Sequence, residues 1–208
     1  IIDYIDINYD YNNFDNLHRT KFLKSKAEVE LHTKNLSKAN ECIENLIKFE
    51  EVNGQSVFCA EIFKILGMIR FEQSRYSEAR NILNYSKELA IKCQNTYVYC
   101  EALLELAKLK YNLGQSSEAI EHLDEVIAKS SEYKLNNIVK NASIVLYEHY
   151  KENKQFELSL NYLEIFMRAD EEIHSFKNMR LLAKLNIDHG EKELRLYNIL
   201  YDKTDLLY

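Results

Sequence analysis

The sequence predicts an all-α protein, a solenoid of four helix pairs closed by a C-terminal helix. Three observations carry that prediction. Four segments recur with a period of 40 residues, centred on Ala39, Ala79, Ala119 and Ser159, and a fixed period of this size signals stacked supersecondary units. Proline is absent and glycine occurs four times, at Gly54, Gly67, Gly114 and Gly190, where average usage would give about ten prolines. The usual helix breakers and hairpin formers are therefore missing. Within each repeat, apolar residues fall at helical spacing.

The second repeat shows the pattern most clearly. Phe58, Ile62, Ile65, Leu66 and Ile69 mark the buried face of a first helix. Glu72, Gln73, Ser74 and Arg75 form a polar turn, with Ser74 as candidate N-cap. Ala79, Ile82, Leu83, Leu89 and Ala90 then mark the second helix. The third repeat follows suit: Ala102, Leu103, Leu106, Ala107 and Leu109, a turn at 112–115, then Ala119, Ile120, Leu123, Val126 and Ile127. Gly114 supplies a left-handed helix C-cap. The small residue at each repeat centre lets the two helices approach. Ile43, Leu83, Leu123 and Leu163, four residues later, fill the space beside it.

These residues resemble the tetratricopeptide repeat. That family places Leu-Gly or Leu-Ala twelve residues before the central alanine, and Leu66-Gly67 and Leu106-Ala107 occupy those positions here. Leu146-Tyr147 and Lys26-Ala27 stand there in the fourth and first repeats, and Phe63 takes the family's early aromatic position. The helix-ending proline is replaced by Ile91 and Ser131, and the longer period implies longer helices or turns. The resemblance covers about residues 18–170 and implies a right-handed superhelix whose first helices line a concave groove.

Residues outside the repeats read differently. Ile1 to Tyr9 alternates apolar and polar, and 1–15 reads as an extended arm. The repeats occupy 16–170. Over 171–208 a helical stripe of Ile173, Phe176, Met179, Leu182 and Leu185 reads as a capping, dimerising or signalling helix, interrupted at Gly190. The last residues, Asp202-Lys203-Thr204-Asp205-Leu206-Leu207-Tyr208, resemble the string that opens bacterial diguanylate cyclase domains. Asp202, Leu207 and Tyr208 fit that string, and Thr204, Asp205 and Leu206 depart from it. The resemblance implies a sensory half whose output domain lies beyond Tyr208. The chain opens on Ile1 rather than Met, which also reads as a piece of a longer protein.

Composition narrows the function. A net charge of −6 opposes a nucleic-acid surface, which needs clustered cations. No apolar run reaches the roughly 18 residues that span a bilayer. Cys42, Cys59, Cys93 and Cys100 form no C-x-x-C pair and read as small core residues of a cytoplasmic protein. The six histidines, His18, His32, His122, His149, His174 and His189, show no zinc spacing. No phosphate-cradling glycine loop and no nucleophile–base pair is present, so the reading is of a non-enzyme without cofactor or metal.

The candidate site is the concave face. Projecting one register through all repeats gives Lys24, Glu28 and Leu31, then Lys64, Met68 and Phe71, then Leu104, Lys108 and Tyr111, then Ile144, Glu148 and Lys151. Aromatic, Met and charged side chains together suit a peptide or a partner helix. The expected function is a protein- or peptide-binding regulatory region of a cytosolic bacterial signalling protein controlling a diguanylate cyclase. A receptor for a secreted quorum-sensing peptide and a passive assembly scaffold are the alternatives.

Overall fold

The computed structural model describes residues 16–53, 58–175 and 177. The 1–15 arm, the stripe residues Phe176, Met179, Leu182 and Leu185, and the 202–208 string lie outside the described residues. Eight helices and no strand occur among the described residues. They are α1 (Asn16–His32), α2 (Leu36–Asn53), α3 (Cys59–Glu72), α4 (Tyr76–Lys92), α5 (Thr96–Asn112), α6 (Ser116–Glu132) and α7 (Asn136–Glu152), with α8 over residues 156–175. Each helix packs antiparallel on the next, so the chain is an all-α solenoid of helix pairs. α8 passes the 170/171 position without a break.

Turn chemistry sets the period. Helices α1, α4, α5, α6 and α7 each have 17 residues, about 25 Å of helix. A short turn closes each of these helices, and α3 as well, through a residue in the left-handed region: Lys34, Ser74, Gln94, Gly114, Lys134 and Lys154, with φ between 54° and 74°. The following backbone N–H then donates to the carbonyl five residues back. Asn35 reaches Glu30 at 2.8 Å, Arg75 reaches Arg70 at 2.9 Å, Asn95 reaches Ala90 at 2.8 Å and Leu135 reaches Ser130 at 2.8 Å. This is the Schellman closure, which satisfies carbonyls that a helix end otherwise leaves bare. The 40-residue period is thus two 20-residue halves with the same ending. The additional length over the familiar repeat lies in the helices and not in the turns.

The turn also corrects one expectation. Ser74 does not cap α4: it is the left-handed residue of the turn, with φ 61°. The N-cap position belongs to Arg75, which makes no side-chain capping bond. Asn95 does cap its helix, its Oδ1 accepting from the Val98 N–H at 3.1 Å.

Small residues bring the helices together. Ala39, Ala79 and Ala119 are wholly buried, and Ser159 nearly so. Gly67 faces Leu83 so closely that an added Cβ would stand 2.6 Å from the Leu83 Cγ. Ile43, Leu83 and Leu123 are buried beside the repeat centres, while Leu163 is half-buried in α8. The core runs as a chain of local clusters from Ala27 and Leu31 through Leu83 and Leu106 to Ala142 and Leu146. Cys42 and Cys100 belong to that core, but Cys93 is exposed because it caps the C-terminus of α4.

The inner and outer faces differ. Each first helix packs on the next first helix, α1 on α3, α3 on α5 and α5 on α7. The second helices stand farther apart, so the stack curves with the first helices inside.

Two glycine substitutions separate packing from backbone strain. Gly67→Ala forces Leu83 to move and is expected to cost about 1–2 kcal/mol net of the better helix propensity of alanine. Chemical denaturation of Gly67→Ala in a Leu83→Ala background should show much of that cost removed. At Gly114, with φ 74° and nothing within 4 Å of an added Cβ, alanine should cost about 1 kcal/mol from the backbone alone. Lys134→Gly, at φ 55°, should raise the denaturation midpoint by relieving the same strain.

Candidate functional site

The inner face carries a groove-like cavity of about 370 Å³ that touches all four first helices. α1 contributes Glu28, Leu31 and His32, α3 contributes Lys64, Ile65 and Met68, and α7 contributes Ile138 and Asn141. The central helix α5 contributes most, with Tyr97, Glu101, Leu104, Glu105 and Lys108. Tyr97, Glu101, Leu104 and Lys108 follow at spacings of four, three and four, which is one stripe of a helix.

An ion-pair ladder fixes the walls. The Lys24 ammonium pairs with the Glu61 carboxylate of the next first helix. One repeat on, Lys64 pairs with Glu101 at 2.7 Å. Lys64 is buried and also faces Glu28 at 4.0 Å. The Tyr97 hydroxyl donates to the other Glu101 oxygen at 2.9 Å. Burial, then the Glu101 charge, holds the Tyr97 phenol well above its usual range, so it remains a donor at neutral pH. Lys108 pairs within its own helix with Glu105 at 2.7 Å. At the third rung the sequence puts Leu104 and Asn141 where the earlier rungs have Lys and Glu. The ladder of ion pairs between repeats therefore stops after two rungs.

Six of the twelve residues projected from sequence line this cavity: Glu28, Leu31, Lys64, Met68, Leu104 and Lys108. Leu31 and Leu104 are also core residues, only 6% and 3% exposed, so they form the floor. The other six sit elsewhere. Lys24 is held by Glu61 and lies over the Phe58 ring. Phe71 is half-buried against Leu83, Leu106 and Leu109 and works as packing between repeats. Tyr111 meets the edge of His149, ring centres 5.6 Å apart. Ile144 is half-buried, Glu148 is exposed, and Lys151 lies over Tyr147. Ile173, the one described residue of the C-terminal stripe, is half-buried near the end of α8.

Superhelical twist explains the difference. Removing three 40-residue periods, Ile138 and Asn141 correspond to His18 and Lys21, ten residues before Glu28 and Leu31. The groove crosses the helices on a diagonal, drifting toward their N-termini from α1 to α7. A register projected at constant offset misses Tyr97, Glu101, Glu105 and Asn141. Extending the α5 stripe two steps toward its N-terminus would have found Tyr97 and Glu101.

Among the described residues no group of three or more His, Cys, Asp or Glu side chains is arranged to hold a metal ion. No helix among them is long and apolar enough to cross a membrane.

Comparison with known proteins agrees with this architecture. The family described as anaphase-promoting complex subunit 5 matches residues 64–154. A search of curated proteins gave no match. Among solved structures, aspartyl phosphate phosphatase F from Bacillus subtilis superposes with a TM-score of 0.69 over 77% of this chain at 11% identity. This chain spans only 42% of that protein. A single-residue variant of a candidate kinesin light chain of Podosopora anserina, with nearly identical TPR-like repeats, gives a TM-score of 0.53 at 15% identity, covering 84% of each chain. The chain is a TPR-like repeat protein in fold.

The ladder yields a stability prediction. Lys64→Ala leaves the half-buried Glu101 carboxylate without its cation and should cost about 2 kcal/mol in denaturant unfolding. Glu101→Ala in the same chain should cost less than the sum of the two single changes if they act as one pair.

Proposed function

We propose that this chain is a protein- or peptide-binding regulatory unit, and that its inner groove receives an extended peptide or a partner helix. The observation that carries the reading is the groove itself. It is continuous across four helices, and it combines an apolar floor, carboxylates and ammonium groups of both signs, and the 47%-exposed ring of Tyr97. Such a surface supplies an aromatic anchor and charge contacts that fix register. No arrangement within it suits bond-making chemistry.

The finer reading places this unit in a cytosolic bacterial signalling protein. There the stripe of Ile173, Phe176, Met179, Leu182 and Leu185 would dimerise and pass the state of the groove to a C-terminal diguanylate cyclase. That output rests on the resemblance of the residues Asp202 to Tyr208 alone. Sedimentation of Leu182→Asp with Leu185→Asp tests the dimer, which should dissociate.

The groove is tested with a peptide panel of mixed charge and aromatic content. Tyr97→Ala and Met68→Glu should weaken the peptides bound by the parent chain about tenfold or more. Tyr133→Ala, at an exposed ring outside the groove, should leave them unchanged. Equal binding by all three variants would overturn the reading.

A further inference from the structure

The curvature that closes the inner face opens gaps between second helices on the outer face. One gap, of about 360 Å³, lies between α4 and α6 over the C-terminal half of α5. Its floor is Leu106 and Leu109, and its polar wall is unlike that of the inner groove. Arg80, Asn84 and Lys87 come from one stripe of α4, Lys110 from α5, and Gln115, Glu118 and His122 from the start of α6. Three permanent cations thus converge in a chain whose net charge is −6.

Their partners are incomplete. Lys110 donates to Glu118 at 2.6 Å, which occupies one carboxylate. Among the described residues neither Arg80 nor Lys87 has a carboxylate within 4.0 Å, and the buried His122 Nδ1 has no hydrogen-bond partner. A buried imidazole nitrogen without a partner is costly, and so is a set of like charges facing one another. The neighbouring outer gap, between α6 and α8, is more apolar and has two cations where this one has three. It is lined by Ile127, Val139, Ile165 and Ala169 together with Lys134 and Arg168, and its Glu172 accepts from Asn136 at 2.6 Å.

We propose that the outer gap between α4 and α6 binds a phosphate group, held by Arg80, Lys87 and Lys110, with the Asn84 amide completing its hydrogen bonds and His122 beside it. A tetrahedral dianion offers several acceptor oxygens at once, which a single carboxylate does not, and guanidinium and ammonium groups are its usual donors. The cavity exceeds one phosphate in size and leaves room for the group to which the phosphate is attached. The site is on the opposite face from the peptide groove and is independent of that reading.

His122 reports on occupancy. The groups that act on it are Lys110 and Lys87, which oppose its protonation, and Glu125 and Glu118, which favour it; Arg80 acts weakly on Glu118 from across the gap. Burial first, then Lys110 and Lys87, holds the imidazole below its usual range. A dianion offsets the cations that oppose His122 protonation, so His122 should titrate at higher pH when the site is filled.

The test is an NMR titration of the His122 ring in the full chain, assigned with His122→Gln. It is run against pH with inorganic phosphate and with sodium chloride at equal ionic strength. The expected result is a saturable upward shift of the His122 midpoint with phosphate, smaller with chloride, and no comparable shift at the other histidines. Arg80→Gln with Lys87→Gln, which keeps the side-chain bulk, should weaken phosphate about tenfold or more while leaving the thermal midpoint near that of the parent. A shift that does not saturate, an equal shift with chloride, or unchanged phosphate affinity in the double variant would overturn the proposal. O-phosphoserine and a short phosphoserine peptide then identify the source. Tighter binding of the peptide assigns a phosphorylated protein side chain, and binding of O-phosphoserine with exclusion of the peptide assigns a small phosphate monoester.

Discussion

The structure depends on how each helix stops. Every described turn places one residue at positive φ and closes with a hydrogen bond from the next N–H to the carbonyl five residues back. That bond ends the helix at a fixed residue, and α1 and α4 to α7 all have 17 residues. Equal lengths put Ala39, Ala79, Ala119 and Ser159 at matching heights in successive pairs. Close packing at those heights sets the curvature, and curvature separates a closed inner face from a gapped outer one. Five of the six left-handed positions hold Lys, Ser or Gln in place of glycine. The chain carries a cost of about 1 kcal/mol at such a position, which the satisfied carbonyls and the packing of the next helix offset.

Much of this fold was legible. The 40-residue period, the missing prolines and the helical stripes gave the element types, their order and the buried centres. Turn positions were legible only where glycine marks them: Gly114 signals its left-handed conformation, but Ser74 looks like an N-cap and Lys34 or Lys134 like ordinary surface residues. Their conformation is imposed by the helices on both sides. The candidate site was half legible for a different reason. Residue type and spacing reveal which face of a helix is inside, but the angle between successive pairs is a property of packing. Phe71 and Tyr111 share the repeat position of Leu31. The groove has moved off that position already at α3, so their aromatic rings serve contacts between repeats.

The two faces use charge in opposite ways. On the inner face, cations and carboxylates of neighbouring repeats neutralise each other rung by rung, as Lys24 with Glu61 and Lys64 with Glu101. Such pairs between elements restrict how far one pair can rotate on the next, so they define the groove as much as they decorate it. On the outer face, Arg80, Lys87 and Lys110 face a space with one carboxylate among its lining residues. The first arrangement is internally satisfied, and the second leaves capacity for a ligand.

The half-period has an arithmetic of its own. Because every described turn has the same geometry, 20 residues is the unit in which the chain reverses direction. Loss or duplication of 40 residues would shorten or lengthen the stack and keep each face where it was. A change of 20 would exchange the roles of every later helix, turning first helices outward and putting the repeat-centre alanines on the wrong partner. The chain can therefore vary its length only in whole pairs, and the diagonal groove would shift along its helices with each pair gained or lost.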